Sequence, residues 1–271
     1  ITWRNDVTEK GNLKWYKDSP FTIDITDEET GKVIKTIPNK IIWEADPNGR
    51  FEKIKDWWPS EPNKVYENNG QFLPNNNYAF RIGYDTFKYD KTKDKRRSNA
   101  AAFVYQMKDE MFPSVFDDSL ALKYSYRPES RRAANMDVLM MAWLCGCQML
   151  VEKNAGDHYV EHYKEVNCVG FLMYLPGEPE PGITTDGKGK TTQTICNYTE
   201  AYINEHIKKV FFKSLIRKET GWMGFKVDET TKFDEPMAAG ITFIAVKGKR
   251  YARPNQQMQD IESVMPLNKA I

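Results

Sequence analysis

The sequence lacks long apolar runs, a secretory signal and the C-x-x-C cysteine pairs that are typical of zinc sites. No stretch of about 18 apolar residues occurs, so we predict no transmembrane helix. No basic segment followed by an apolar core indicates a secretory signal. No C-x-x-C pair occurs either, so we expect reduced thiols buried in the core rather than disulfides or a zinc site. The four cysteines concerned are Cys145, Cys147, Cys168 and Cys196.

An excess of charge of either sign is also absent. Lys and Arg number 39 and Asp and Glu number 38, giving a net charge of +1. This balance argues against a protein coated in basic residues for permanent nucleic-acid binding. Aromatic residues make up 13% of the chain, enough for a packed core, which excludes wholesale disorder. The chain starts at Ile1 without an initiator methionine, and we expect it to be a piece of a longer protein.

Three regions differ in pattern along the 271 residues. Residues 1–75 contain short strands separated by turn-forming residues, residues 76–250 alternate strands and helices, and residues 251–271 form a polar tail. In the middle region we predict three strands at 78–85, 99–107 and 120–127 and then a helix at 129–145. A short strand at 148–151 and two helices, at about 191–218 and from 234 onward, follow. This order predicts an α/β sheet that begins with an antiparallel hairpin.

Three acids lie at the ends of these predicted elements. Asp85 ends the first strand of the middle region, Glu152 follows the short strand, and Asp234 opens the last helix. Two strand ends and a helix N-terminus can converge, and a divalent cation relieves the repulsion among three carboxylates. Two such ions about 4 Å apart support phosphodiester hydrolysis. In the alternative interpretation, Asp85 simply ends a strand, Glu152 is solvated, and Asp234 caps a helix.

Several short motifs resemble those of known nucleases. R-I-G-Y-D at 81–85 and S-N-A-A-A-F-V-Y at 98–105 resemble the first hairpin of ribonuclease H-like nucleases. Three further segments are similar to the nuclease domain of the large terminase subunit of tailed bacteriophages. They are S-Y-R-P at 125–128, Q-M-L-V-E-K-N at 148–154 and F-D-E-P-M-A-A-G-I-T-F-I-A-V at 233–246. The resemblance covers residues 76–250, in order. Within the family, the segments resemble the proteins of crAss-like phages. Residues 1–75 resemble nothing that we can place.

The resemblance implies a ribonuclease H-like mixed sheet flanked by helices and a metal-dependent endonuclease that cuts concatemeric viral DNA during packaging. Asp85, Glu152 and Asp234 would be catalytic and hold two Mg²⁺ or Mn²⁺ ions, with Asp90 and Glu235 as weaker candidate ligands. The implied partners are double-stranded DNA, the portal, the small terminase subunit and an ATPase motor domain in the same full-length chain. The implied location is the host cytoplasm, at the procapsid portal.

Basic residues grouped near these acids are candidate contacts for the DNA backbone. Such contacts supply affinity without sequence information, and no base-reading motif is visible, so we expect little sequence preference. The simpler interpretation is that these side chains are merely solvated. The candidates are Lys93, Lys95, Arg96, Arg97, Arg127, Arg131, Arg132, Lys188 and Lys190.

Other motifs leave different functions open. H-x-x-E-H at 158–162 fits a zinc peptidase that uses His158, Glu161 and His162. G-x-x-x-x-G-K at 182–188 is close to a phosphate-binding loop, but Gly189 replaces the Ser or Thr that binds Mg²⁺. A junction resolvase or integrase-type nuclease would share the acid constellation. A non-catalytic module that binds DNA or the portal is a further alternative.

Overall fold

A computed structural model describes residues 7–87, 98–153, 158–185, 189–226 and 230–248. The strands are β1 (Thr8–Trp15), β2 (Thr22–Thr26), β3 (Val33–Pro38), β4 (Ile41–Ala45), β5 (Phe51–Ile54), β6 (Val65–Asn68), β7 (Gln71–Pro74), β8 (Phe80–Asp85), β9 (Ala100–Gln106), β10 (Ser119–Tyr126) and β11 (Met149–Val151). The helices are α1 (Arg131–Cys145), α2 (His158–Glu165), α3 (Lys190–His206) and α4 (Asp234–Gly248). None of the described helices is both long and apolar enough to cross a membrane.

Seven of these strands form one mixed sheet in the order β11-β8-β9-β10-β5-β1-β4. β11 is parallel to β8, and every other neighbouring pair in this sheet is antiparallel. The remaining described strands form two hairpins, β2–β3 and β6–β7. This arrangement confirms an α/β protein with a mixed sheet flanked by helices and a strand-rich N-terminal region. The sheet also runs across position 75, because β5 pairs with β10.

The central strands are buried on both faces. In β9, Ala100, Ala102 and Val104 belong to the core on the α1 side. Ala101 and Phe103 belong to the core that contains α4 residues. Side chains alternate between the faces of a strand, so one apolar run serves both layers. Consequently, a residue's position in the strand tells which helix it faces.

α1 is fixed by caps at both ends and by an aromatic cluster. The Ser130 hydroxyl accepts a hydrogen bond from the Ala133 N–H at 3.1 Å, and Gly146 ends the helix in the left-handed conformation. The fully buried Trp143 ring stacks on Phe171, and its indole N–H donates to the Asn39 carbonyl at 2.8 Å. Truncation of so large a core side chain typically costs about 3–5 kcal/mol. α1 therefore joins the N-terminal region to the rest of the sheet.

α4 lies directly on β8 at a position where only glycine fits. A Cβ atom on Gly83 would be 2.1 Å from the Thr242 backbone nitrogen. The Gly83 N–H donates to the Thr242 hydroxyl at 3.1 Å, and that hydroxyl donates to the Ala238 carbonyl at 2.7 Å. This close approach holds α4 against the strand that ends at Asp85.

The prediction of one helix over residues 191–218 is wrong in its second half. α3 ends at His206, and residues 207–209 and 213–216 form short 3₁₀ turns. Val210 and Phe212 are both buried two positions apart, which is the spacing of an extended segment rather than of a helix. Phe212 packs on Phe103 of β9, with ring centroids 5.6 Å apart. This contact with the sheet outweighs the local preference for helix.

All four cysteines are free thiols, as expected from the sequence. Cys145, Cys147 and Cys168 are buried in the core. Cys196 on α3 is only partly buried, so the expectation that it is a core residue is wrong.

Candidate functional site

The three acids singled out from the sequence converge at one edge of the sheet. Val151 of β11 pairs in parallel with Tyr84 of β8, so the next residues, Glu152 and Asp85, are neighbours. The Glu152 N–H donates to the Tyr84 carbonyl at 2.9 Å, which continues the pairing.

The acids also share a face of the sheet. Asp85 is opposite Ala101 of β9, which packs in the α4-side core. Glu152 comes two positions after Leu150, whose side chain packs beneath α4, and Asp234 is the first residue of α4. Strand alternation therefore directs Asp85 and Glu152 to the side of the sheet that α4 covers.

The surroundings of Asp85 all disfavour its negative charge. Asp85 is 8% exposed, and burial is the main reason that its pKa lies well above the ordinary value for aspartate. The negative charge of Glu152, a hydrogen bond with the Glu152 side chain and the charge of Asp234 raise the pKa further. Asp85 therefore favours a proton or a nearby cation more strongly than an ordinary aspartate does.

Asp234 is held by the segment that leads into β9. Burial is the largest influence and raises the pKa of Asp234 to about 6. The Asn99 N–H donates to its carboxylate at 2.7 Å and, with a hydrogen bond from the Ser98 side chain, lowers the pKa. The charges of Glu235 and Glu152 act in the opposite direction. The negative charge of Glu152 thus raises the pKa of both Asp85 and Asp234.

Glu152 is positioned by residues 183–185, which belong to the segment that resembles a phosphate-binding loop. Ile183 pairs with Glu152 beside β11, and the Lys153 N–H donates to the Ile183 carbonyl at 2.8 Å. The Thr185 hydroxyl donates a hydrogen bond to the Glu152 carboxylate. Thr185 is a site residue that no sequence pattern indicated, since the contact depends on how the chain returns to β11.

The donor atoms of this acid cluster, which we define as Asp85, Glu152 and Asp234, are hard oxygens of the type that Mg²⁺ and Mn²⁺ prefer. In the described part of the chain, no group of three or more His, Cys, Asp or Glu side chains is already arranged to hold a metal ion. The three carboxylates thus interact electrostatically without forming a finished ligand set. Asp90, the auxiliary candidate, lies outside the described residues.

Glu235 has partners other than the acid cluster. The Ser214 hydroxyl donates to its carboxylate, and the Lys123 ammonium lies 3.6 Å from it. These contacts hold the Glu235 carboxylate beside Ser214 and Lys123. Of the two adjacent acids, Asp234 is therefore the better member of the site.

The candidate DNA-contacting residues occupy different places. Arg127 donates to the Ser98 carbonyl and stacks over the Phe87 ring at 4.0 Å, beside the segment that holds Asp234. Arg132 instead forms an exposed ion pair with Glu165 of α2 at 2.7 Å. Lys190 is exposed at the start of α3. Lys93, Lys95, Arg96, Arg97 and Lys188 lie outside the described residues.

The H-x-x-E-H motif lies on α2, next to two guanidinium groups. His158 and His162 line a cavity of about 180 Å³ that Arg131 and Arg132 also line. A guanidinium nitrogen of Arg131 is 3.1 Å from Nδ1 of His158. Burial lowers the pKa of His162, and the charge of Arg132 lowers it further. Positive charge at this position repels a divalent cation, which disfavours a zinc site.

Comparison with protein-family models and with curated proteins gave no match to this chain. The geometry of the acid cluster and the sequence motifs therefore carry the functional inference.

Proposed function

We propose that this protein is a metal-dependent DNA endonuclease of the large-terminase type, which cuts concatemeric viral DNA during genome packaging. The observation that carries this proposal is the convergence of Asp85, Glu152 and Asp234 from two strand ends and a helix start. Their charges act on one another, and burial raises the pKa of both aspartates. Perturbed acids gathered at one edge of a sheet are typical of functional sites.

The oxygen donors of the acid cluster suit divalent cations such as Mg²⁺ or Mn²⁺, and the proposal places two such ions there. Its three carboxylates concentrate negative charge in a buried place, and a bound cation offsets the cost of burying that charge. When bound, two such ions would stabilise both the attacking and the leaving oxygen in phosphodiester hydrolysis. Asp85, Glu152 and Asp234 would hold them.

The residues around the acid cluster would keep the carboxylates oriented. The Thr185 hydroxyl fixes one oxygen of Glu152, and the Asn99 N–H fixes one oxygen of Asp234. The hydrogen bond from Asn99 also lowers the pKa of Asp234 and so favours its ionised form. Ligand and carboxylate orientation of this kind typically contributes about 10- to 100-fold in metal affinity or activity.

The wider role follows from the resemblance of residues 76–250 to terminase nucleases. The proposed substrate is double-stranded DNA, cut with little sequence preference. The proposed partners are the portal, the small terminase subunit and an ATPase motor domain in the full-length chain. The proposed place of action is the procapsid portal in the host cytoplasm.

Plasmid cleavage in Mn²⁺ or Mg²⁺ tests the proposal. We expect the wild-type protein to cut, and Asp85→Ala to lose more than about 100-fold, beyond the range typical of residues that only orient a ligand. The control is Asp117→Asn, because Asp117 is also buried but bonds to Gln106, the residue that pairs with Phe80 at the opposite end of β8. The control variant should cut at nearly the wild-type rate.

Two results would contradict the proposal. If Asp85→Ala cuts at the wild-type rate, the acid cluster is not the site of cleavage. If the wild-type protein binds DNA but cuts none with either metal, it is a non-catalytic binding module. A strong preference for branched over linear DNA would instead indicate a junction resolvase.

A further inference from the structure

A polar cavity of about 420 Å³ borders the first turn of α4, the helix that begins at Asp234. Its walls come from β1, β5, β10 and the turn at 213–216, and Glu235 borders it. Since Glu235 directly follows Asp234, the cavity adjoins the start of α4. The cavity is lined by more basic than acidic side chains. The basic ones are Lys10, Arg50, Lys123, Lys213 and Arg217, and the acidic ones are Glu52 and Glu235.

The two acids of the cavity are engaged by one buried lysine. The Lys123 ammonium lies 2.6 Å from the Glu52 carboxylate and 3.6 Å from that of Glu235. Burial alone raises the pKa of Glu52, but Lys123, Thr8 and Lys10 together lower it, so this acid is ionised at neutral pH. The negative charges of Glu52 and Glu235 are thus largely compensated by basic residues of the cavity itself.

The basic side chains at the rim give the cavity a positive excess toward solvent. Lys10, Lys213 and Arg217 are all exposed. Arg50 is partly compensated by Asp137, with a nitrogen–oxygen distance of 2.9 Å. An opening lined by several cations attracts polyanions, and phosphate is the anion that Lys and Arg bind most readily.

The position of the cavity links it to the acid cluster. Lys123 on β10 is opposite Phe103 of β9, which packs on the α4 side of the sheet. The cavity therefore opens on the same face as Asp85 and Glu152, farther along the sheet toward β5 and β1. A chain of phosphates that passes the start of α4, where Asp234 and Glu235 lie, would lead from the basic cavity to the acids.

We propose that the cavity bounded by Lys10, Lys123, Lys213 and Arg217 binds the phosphodiester backbone of a DNA strand that extends to the acid cluster. This inference rests on the proposed endonuclease function and gives residues 7–54 a part in substrate binding. The contacts are with phosphates, so they carry no sequence information.

Binding of a short fluorescein-labelled DNA duplex, measured by anisotropy in EDTA, tests the cavity separately from cleavage. The variant is Lys213→Ala/Arg217→Ala, which removes two exposed cations. We expect about tenfold weaker binding and a salt dependence that is shallower by about two units of slope. The matched control is Lys32→Ala/Lys35→Ala, which removes two exposed cations from the β2–β3 hairpin and should leave the slope unchanged.

A second variant, Lys10→Ala, probes the opposite wall and should make the slope shallower by about one unit. Unchanged slopes in all cavity variants, or an equal change in the hairpin control, would overturn the inference. Displacement of DNA by inorganic phosphate at the same phosphate concentration would also overturn it, since the cavity would then be a general anion site.

The binding and cleavage results are separable. Shallower slopes without any cleavage by the wild-type protein would support the cavity and refute the endonuclease. Normal cleavage with unchanged slopes would support the endonuclease and refute the cavity.

Discussion

Asp85 and Asp137 are buried carboxylates on opposite faces of the same sheet, and their neighbours differ in sign. Asp137 on α1 is 3% exposed, accepts a hydrogen bond from the Tyr124 hydroxyl at 3.0 Å and pairs with Arg50 at 2.9 Å. Asp85 is 8% exposed and lies beside Glu152 and Asp234. Burial raises the pKa of both residues, to about 6 for Asp137. Arg50 and Tyr124 oppose that shift at Asp137, whereas both neighbouring acids add to it at Asp85.

The difference separates a carboxylate that serves the fold from one that serves a ligand. The charge of Asp137 is compensated by the chain itself. At Asp85 the described part of the chain supplies more negative charge, so the carboxyl group is stabilised either by a proton or by a cation. The predictions below test this contrast.

Loss of Arg50 should have the largest effect on stability. Arg50→Ala leaves the Asp137 carboxylate without its cation, and we expect a loss of about 3 kcal/mol in the free energy of unfolding at pH 8. The loss should be smaller at pH 5, where Asp137 can take up a proton. Urea unfolding at both pH values measures this, with Lys14→Ala as the control, since the exposed Lys14–Glu44 pair should contribute less than about 1 kcal/mol.

The sign of this pH dependence follows from the raised pKa of Asp137. A folded-state pKa above the unfolded value means that its contribution to stability is full below about pH 4 and declines as the pH rises through about 6. Without Arg50 the decline should be steeper and continue to higher pH. Equal losses at pH 5 and pH 8 would contradict this explanation.

Asp85→Asn should have the opposite effect on stability. Removing one charge from the crowded acid cluster should stabilise the metal-free protein at pH 8 by about 0.5–2 kcal/mol, the range typical of single stabilising substitutions, and have little effect at low pH. The reason is that the raised pKa of Asp85 makes its contribution decline with rising pH, as for Asp137. Thermal unfolding in EDTA measures it. A destabilised variant would show that Asp85 is compensated after all.

Thr185→Val should affect activity more modestly. The variant removes the hydroxyl that orients Glu152, and we expect cleavage to fall about tenfold with unchanged folding. Thr184→Val is the adjacent control, because Thr184 is exposed. Equal rates for the two variants would show that the hydrogen bond has no role in orienting the acid.

The smallest expected effect separates two arginines. Arg127 lies beside the segment that holds Asp234, so Arg127→Ala should weaken DNA binding about threefold, as for one lost phosphate contact. Arg132 is engaged with Glu165, and Arg132→Ala should leave the affinity unchanged. Anisotropy titrations in EDTA compare them, and a larger effect at Arg132 would reverse the assignment.

The sequence was informative where a local pattern determines an element. The apolar runs of β8 and β9, the capped α1 and the acid at the start of α4 all follow from periodicity and capping, and together they located Asp85, Glu152 and Asp234. The contacts of Thr185 and Asn99 with these acids, and the pairing of β5 with β10, join distant parts of the chain. Such contacts depend on strand register and on the closeness of α4 to Gly83, which no local pattern determines.

Calorimetric titration of Mn²⁺ into the metal-free protein tests the central claim most directly. We predict that the wild-type protein and Asp117→Asn bind two ions, and that Asp85→Asn loses one or both. Binding should weaken as the pH falls toward 6, because protons compete for the same carboxylates. Absence of binding to the wild-type protein, or the same number of ions on Asp85→Asn, would contradict a metal site at the acid cluster.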